Sequence, residues 1–529
     1  MKILRYLSLA FAAILFASCL DTEPMGDYIT ESQKAATVEA NPARLEASVT
    51  AITANFSAYM TISSSNHIDY GYGTIMLLLE SRGVDMAQDN TGYNWYSYSL
   101  TYDNIDYTYT NNKLIWCTLY NQIYTANAVC ATVDADTEDE TLMGYLAQAY
   151  AIRAFDYFKL VNIYQFHYPN IDPDTALGVP IITEENKDDA AANGCPRATV
   201  QEVYDQILSD LDKALTLLEN SGYKRTDKRY VDEYVVRAIR SQVYLEMANY
   251  SAALEDADYV IENSGATPYT YEEVSSPTFI DINDDAWLWG IYISETDDVV
   301  SSGIVNWPSH MGSFNYGYAS VGAWRKVNKK LYNSIPDTDI RKGWFLDGDC
   351  LSANLSDEYQ QYVFDYDLPA YCQAKFAPYN GELYTSTNAC DIPLIRIEEM
   401  YLIKAECEAM SGSPSTGAAT LQSFISTYRD PAYTFSSSSA SDVVEEVFWH
   451  KRVELWGEGI TWFDYLRLNK DFDRRGGGFE ANYCFNIPAG DNALIWRLPY
   501  SEVQYNSQIS ESDNNPVATK PTAVEDEDE

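Results

Sequence analysis

A chain of 529 residues, 46% of them hydrophobic, is too long for one simple core and ample for globular folding. That excludes global disorder and points to two closely packed subdomains or one large helical body. Its 35 Lys+Arg against 78 Asp+Glu leave a formal charge of −43, which argues against nucleic acid as a partner and requires a covalent anchor for any residence on an anionic membrane.

Residues 1–18 read as a secretion signal. Lys2 and Arg5 form the charged start, and Leu7 to Phe16 is an apolar run too short for a comfortable membrane span. The run closes in Leu15-Phe16-Ala17-Ser18-Cys19, which resembles a bacterial lipobox with Phe16 in place of the usual Leu. Cys19 is then the lipidated first residue of the mature chain. Residues 19–41 are polar and read as a tether.

Residues 42–268 form an N-terminal helical region. Leu45, Val49, Ile52, Phe56 and Tyr59 predict a helix from Pro42 to Ile62, and a second follows at Tyr72–Glu80. Segment 81–109 holds Tyr93, Trp95, Tyr96, Tyr98, Tyr102, Tyr107 and Tyr109 in no single period, so it does not read as a core helix. From Lys113 helices dominate. Thr199 and Glu202 form a capping box before the stripe Val203, Ile207, Leu211, Ala214, Leu215 and Leu218. Val235–Met247 and Tyr250–Ile261 make a further pair, and Ile397–Met410 with Ala418–Tyr428 another. Small residues at four-residue spacing in such pairs resemble tetratricopeptide packing, whose repeat is roughly 34 residues.

Residues 269–391 are less regular and read as a loop-rich insert in which Trp287 to Ile293 predicts a short strand. Trp287 and Trp289 are expected in the core. Residues 392–510 form a C-terminal helical region, and 511–529 an acidic, solvated tail. Of the nine cysteines, Cys117, Cys130 and Cys407 sit in helical patterns as small core residues. Cys350, Cys372, Cys390 and Cys484 lie in loop-like sequence and are candidates for disulfides, with the pairing left open.

One stretch carries more than a packing pattern. Val443 to Leu468 reads VVEEVFWHKRVELWGEGITWFDYLRL, two helices around the break Gly457-Glu458-Gly459, with Asp442 and Glu445 as the expected capping box. Lys451, Arg452, Glu454, Leu455, Glu458, Gly459, Trp462, Phe463, Asp464 and Arg467 together resemble the signature of the SusD/RagB family of outer-membrane nutrient-binding lipoproteins. Trp449-His450 departs from the family's acid–basic pair and from the local salt bridge that pair would make. The resemblance spans Cys19 to about Ser507. Tyr145 to Tyr164 looks like the family's first conserved helix and Leu177-Gly178-Val179-Pro180 like the loop after it. Leu331-Tyr332 with Asp339-Ile340-Arg341, Arg396 to Ala409, and Leu498-Pro499 with Glu502 and Asn506 match further elements, although the closing Gln-Asn-Pro-Gly is lacking. Asp21 and Glu23 resemble the export signal that sends lipoproteins to the surface of Bacteroidetes-type bacteria.

The resemblance implies a mainly α fold of degenerate tetratricopeptide-type helix pairs with an irregular insert carrying short strands. It also implies a lipid-anchored, surface-exposed protein of the outer membrane, not an enzyme, that captures glycans or in some branches peptides and passes them to a SusC-type TonB-dependent transporter. The sequence carries no HExxH, G-x-S-x-G, GxxxxGK[ST] or GxGxxG, and its four histidines are scattered. No cofactor or metal is expected; Asp281, Asp284 and Asp285 are too weak a cluster to claim one.

Glycan capture asks for aromatic rings to stack on sugar C–H faces and for donor and acceptor forks at the hydroxyls. Arg82, Asp85, Asn94, Trp95, Tyr96 and Tyr98 supply both kinds, and starch-binding relatives draw an aromatic arc with an Arg and an Asn from a comparable early region. They draw more of it from loops after the central strand, which here hold Trp307, Phe314, Tyr316 and Tyr318. The expected site has Trp95 with Tyr96 or Tyr98 as one wall and Trp307 with Tyr316 or Tyr318 as the other, and Arg82 and Asp85 bonding hydroxyls. A peptide- or glycoprotein-binding member of the same fold is the alternative, and a structural helical-repeat scaffold a second.

Overall fold

In a computed structural model of the chain, residues 31–59 and 67–527 are described. The signal segment, Cys19 and residues 60–62 of the expected first helix lie outside the described residues.

The frame is built from helices α1 (Glu31–Ala40), α2 (Glu46–Ala54), α3 (Tyr72–Arg82), α4 (Thr110–Thr132), α5 (Glu140–Tyr164), α6 (Val200–Ser221), α7 (Glu233–Glu246), α8 (Tyr250–Asn263), α9 (Ile397–Met410), α10 (Pro414–Tyr428), α11 (Ala440–Glu454) and α12 (Thr461–Arg467). The pairs α5–α6, α7–α8 and α9–α10 pack side by side, and α6–α7 and α8–α9 join one pair to the next. Because α8 packs directly on α9, the insert leaves the stack and returns to it without interrupting the core. The amphipathic stripe of α6 is buried along its length, and Thr199 and Glu202 close the capping box that starts the helix.

Sheet structure is minor. Strands β1 (Met86–Ala87) and β3 (Lys326–Val327) pair antiparallel, with Met86 opposite Val327. Strand β2 (Trp287–Ile291) pairs antiparallel with β4 (Ile392–Arg396) through an irregular register, and β5 (Phe472–Asp473) with β6 (Asn486–Ile487). Trp287 and Trp289 are both fully buried, because β2 is covered on both faces. The β1–β3 bridge matters most for the site, since it ties the early aromatic segment to the insert.

The signature stretch forms the floor of the molecule's interior. Glu454 at the end of α11 takes Arg429 Nε at 2.8 Å, Arg396 NH1 at 3.2 Å and Arg341 NH1 at 3.5 Å. Glu458 takes Arg396 NH2 at 2.9 Å and Lys375 Nζ at 2.6 Å. Glu398 pairs with Arg396 and Arg429, and Asp339 with Arg341. Four cations (Arg341, Lys375, Arg396, Arg429) thus face four carboxylates (Asp339, Glu398, Glu454, Glu458), all buried. Burial of charge is tolerated only when paired this closely. The insert supplies Asp339, Arg341 and Lys375, so the cluster rivets insert to helices.

The break between α11 and α12 needs its glycines. Gly457 and Gly459 have φ of +78° and +72°; a Cβ on the first would stand 2.3 Å from Met311 Cε, and on the second 2.8 Å from Met76 Cβ. That close approach lets Gly459 N donate to Glu80 Oε1 at 2.9 Å and presses the loop on α3.

Several expectations are corrected. Helix α11 is capped by Ser439, whose hydroxyl accepts from Asp442 N, while Glu445 pairs with Lys470. The last ten residues before Asn41 are helical as α1, which packs on α4, because Val38 has an apolar face to bury. Residues 511–527 do not float free. Val524 N donates to Cys484 O at 2.8 Å, Gly476 N to Asp526 at 2.6 Å, and Lys330 pairs with Glu527 at 2.7 Å, so the tail's carboxylates are held by a backbone amide and one lysine. All eight described cysteines are free thiols, Cys350, Cys372, Cys390 and Cys484 included. At the departure Trp449-His450, His450 takes Arg341 NH2 on Nδ1 at 2.8 Å and lies 3.6 Å from Glu446, so a neutral imidazole replaces the charged pair.

Candidate ligand-binding site

The nine residues expected at the site divide by burial. Arg82 is fully enclosed: its guanidinium lies between the rings of Tyr102 (4.7 Å) and Trp496 (4.4 Å) and donates to Ala493 O at 2.6 Å. Burial pushes its pKa down to about 10. Asp85 is committed to Arg452 at 2.7 Å and to the Tyr465 hydroxyl at 3.2 Å. Asn94 donates to Gln88 Oε1 at 3.0 Å, Tyr96 bonds the Tyr70 hydroxyl, and Trp307 packs edge-on against Phe376 at 5.0 Å. These five side chains have essentially no exposed surface. As placed they brace the site and offer nothing to a ligand, which corrects the wider expected set.

The other four remain accessible. Trp95 and Tyr318 are half-buried, and Tyr98 and Tyr316 are exposed at 50% and 41%. Trp95 and Tyr318 come together, with ring centroids 6.4 Å apart, and the residue that joins them is His67. The imidazole stacks on Trp95 at 4.4 Å and 20°, and stands edge-on to Tyr318 at 5.6 Å. Tyr316 belongs to a neighbouring terrace with Tyr384 (5.1 Å), which continues to Tyr366 (4.5 Å). Tyr98 packs instead with Tyr109 at 5.3 Å, away from this pair in the contacts it makes.

Beneath the exposed rings lies a rigid, fully buried base. His310 stacks on Tyr318 at 4.6 Å and its Nε2 meets His67 O at 3.0 Å. Arg325 donates from Nε to His310 O at 2.6 Å and from NH1 to Gln88 Oε1 at 2.7 Å. Burial and the Arg325 charge hold His310 well below the ordinary histidine range, and partial burial lowers His67 as well, so both imidazoles are neutral. Rings are therefore presented over a base held by the bonds of His310 Nε2 and of Arg325 Nε and NH1. Such a surface is suited to stacking on a neutral ligand.

Sequence reasoning missed His67, Tyr366 and Tyr384. Two of the four histidines meet across 243 residues of chain, and no local pattern announces that.

Residues 37–245 match the family described as "starch-binding associating with outer membrane", and residues 356–520 match the SusD family. The SusD-like protein P2 of Formosa agariphila is 25% identical over 435 residues, covering 76% of this chain and 79% of that protein. Among solved structures, a SusD-like carbohydrate binding protein from Bacteroides vulgatus superposes with a TM-score of 0.73 at 22% identity, covering 89% of this chain and 97% of the other. A laminarin binding SusD-like protein superposes at 0.59 and 18% identity, over 90% and 99%. The two family models fall on the N-terminal helices and on the C-terminal region that carries the signature stretch. The chain belongs to the SusD/RagB family.

Proposed function

We propose that the protein is a cell-surface lipoprotein of the outer membrane, anchored through Cys19, that captures a glycan or oligosaccharide and delivers it to a SusC-type TonB-dependent transporter. The observation that carries this reading is the half-exposed platform of Trp95, His67 and Tyr318, flanked by Tyr316, Tyr384 and Tyr366. Flat rings fixed at their edges present apolar faces with little torsional freedom left to lose, which is what a sugar's C–H face selects. The matched family's description and the laminarin binding relative favour saccharide over peptide as the ligand. The role in this reading is binding and not catalysis, because what the platform offers a ligand is the faces of aromatic rings. In this reading attachment falls to an acyl chain on Cys19; among the described residues no helix is long and apolar enough to cross a membrane.

The test is a binding screen of the chain against glycans and peptides, read by calorimetry. Saccharide binding that is lost in Trp95→Ala supports the reading, whereas peptide binding alone replaces it with the peptide-carrying alternative. Metabolic labelling with a fatty acid, lost in Cys19→Ala, checks the anchor separately.

A further inference from the structure

A cavity of about 550 Å³ lies apart from the Trp95 platform and shares no lining residue with it. It opens between Thr50–Tyr59, the end of α2 and the turn after it, and the segment leaving β2. We propose that this cavity is a second saccharide subsite, specific for a neutral sugar unit. The proposal rests on reading the protein as a saccharide binder and adds a site to that reading.

The lining has the required parts, already held in place. Tyr292, the first residue past β2, is 42% exposed, and the Arg229 guanidinium lies over its ring at 4.6 Å and over the Tyr230 ring at 5.4 Å. Asp227 grips Nε and NH2 of Arg229 at 2.9 and 3.0 Å, which fixes the guanidinium plane. Among the described residues no acceptor takes NH1, so two N–H donors are left for a ligand hydroxyl. Tyr59 closes the opposite wall, immobilised by its hydroxyl donating to Val305 O at 3.0 Å. Asp297 and Asp298 line the cavity as acceptors. The volume falls within the usual span of ligand pockets, roughly 300–1,000 Å³.

Charge decides the ligand class. Asp227 offsets Arg229, and Asp297 and Asp298 then leave the cavity negative, which repels uronic acids and sulfated sugars. A neutral, hydroxyl-rich ring with an apolar face satisfies the tyrosines, the free guanidinium donors and the carboxylates together. Two subsites on one rigid body would raise the apparent affinity for a chain long enough to reach both.

The experiment titrates the full chain, solubilised in detergent, with neutral gluco-, manno- and xylo-oligosaccharides, their sulfated counterparts and a basic peptide. Tyr292→Ala and Arg229→Gln are expected to weaken neutral-oligosaccharide binding by about tenfold, about 1.4 kcal/mol, and Tyr292→Phe, which keeps the ring, to leave it unchanged. Tyr292→Ala titrating like the parent chain overturns the proposal, as does tighter binding of the sulfated sugars or of the peptide. If Trp95→Ala is silent while Tyr292→Ala weakens binding, the platform reading fails and the cavity stands. The reverse pattern removes the cavity alone, and a parent chain that binds no saccharide in the panel overturns both.

Discussion

The hydroxyl of Tyr318 lies 2.6 Å from Nδ1 of His67, across 251 residues of chain. With a neutral imidazole accepting at Nδ1, the ring proton sits on Nε2, and the His67 plane is fixed while its face lies against Trp95. One hydrogen bond therefore locks rings from three separate segments into a single platform.

Truncating that platform has a graded outcome. Trp95→Ala is expected to lose about 1–3 kcal/mol of saccharide affinity, the range for a stacked, buried aromatic. Tyr318→Phe keeps the ring and removes only the bond to His67, so its loss is expected near 1 kcal/mol or less. Calorimetry on the two variants, with equal affinities as the disproving result, separates ring contact from ring positioning.

Glu454 is the hub of the buried ionic cluster, facing Arg341, Arg396 and Arg429. Glu454→Gln leaves those guanidiniums short of one charge, and urea unfolding at neutral pH is expected to give a loss of about 3–5 kcal/mol. Burial raises the Glu454 pKa, but the Arg429 and Arg396 charges outweigh it and hold the carboxylate far below its ordinary value of 4.5. A depressed acid stabilises above its unfolded pKa and loses that contribution as pH falls. The gap between parent and variant is therefore expected to narrow below about pH 4.5; a constant gap would separate the effect from ionisation.

His450 titrates in the same direction. Burial, helped by the Arg341 charge, pushes it down to about 4 from 6.5. Between those values the unfolded chain binds a proton that the native chain refuses, so stability falls as pH falls from about 6.5 to 4. The contribution is about 3 kcal/mol across the window. Denaturant midpoints followed over that range are expected to slope less in His450→Gln than in the parent.

Glu80 works the opposite way. Burial, against the lowering effect of the Gly459 N–H, pushes it up to about 8 from 4.5. The native chain keeps a proton that the unfolded chain releases, so stability falls as pH rises through that interval. Glu80→Gln still offers Gly459 N an acceptor and is expected to be more stable than the parent by about 2–3 kcal/mol at pH 7, with no gain at pH 4. A destabilised variant at pH 7 would show that Glu80 is ionised in the folded chain.

Much of this was legible in the sequence. The stripe of α6, its capping box, the bounds of α9 and the stop between α11 and α12 are local features, because helical period, cap chemistry and glycine are properties of neighbouring residues. The signature residues Glu454, Glu458, Asp464 and Arg467 were legible as a pattern, though not as partners: Arg396 at the end of β4 and Arg429 just past α10 reach Glu454 from other segments. Other local readings failed where a distant element intervened. The acidic tail meets Lys330 and Gly476, and the apolar Val38 turns a polar-looking tether into a helix against α4.

The residues themselves determined that helix pairs would form, that a charge-paired signature would be buried among them, and that aromatic rings would gather in segment 81–109 and in the insert. Which of those rings face solvent was decided only by the assembled chain. Periodicity tells a side chain's direction from its own backbone and says nothing of what neighbouring element covers it. Trp307 is covered against Phe376 and Tyr96 against Tyr70 and His310, whereas Trp95 and Tyr318 emerge beside His67 because the β1–β3 pairing brings residues hundreds apart to one face.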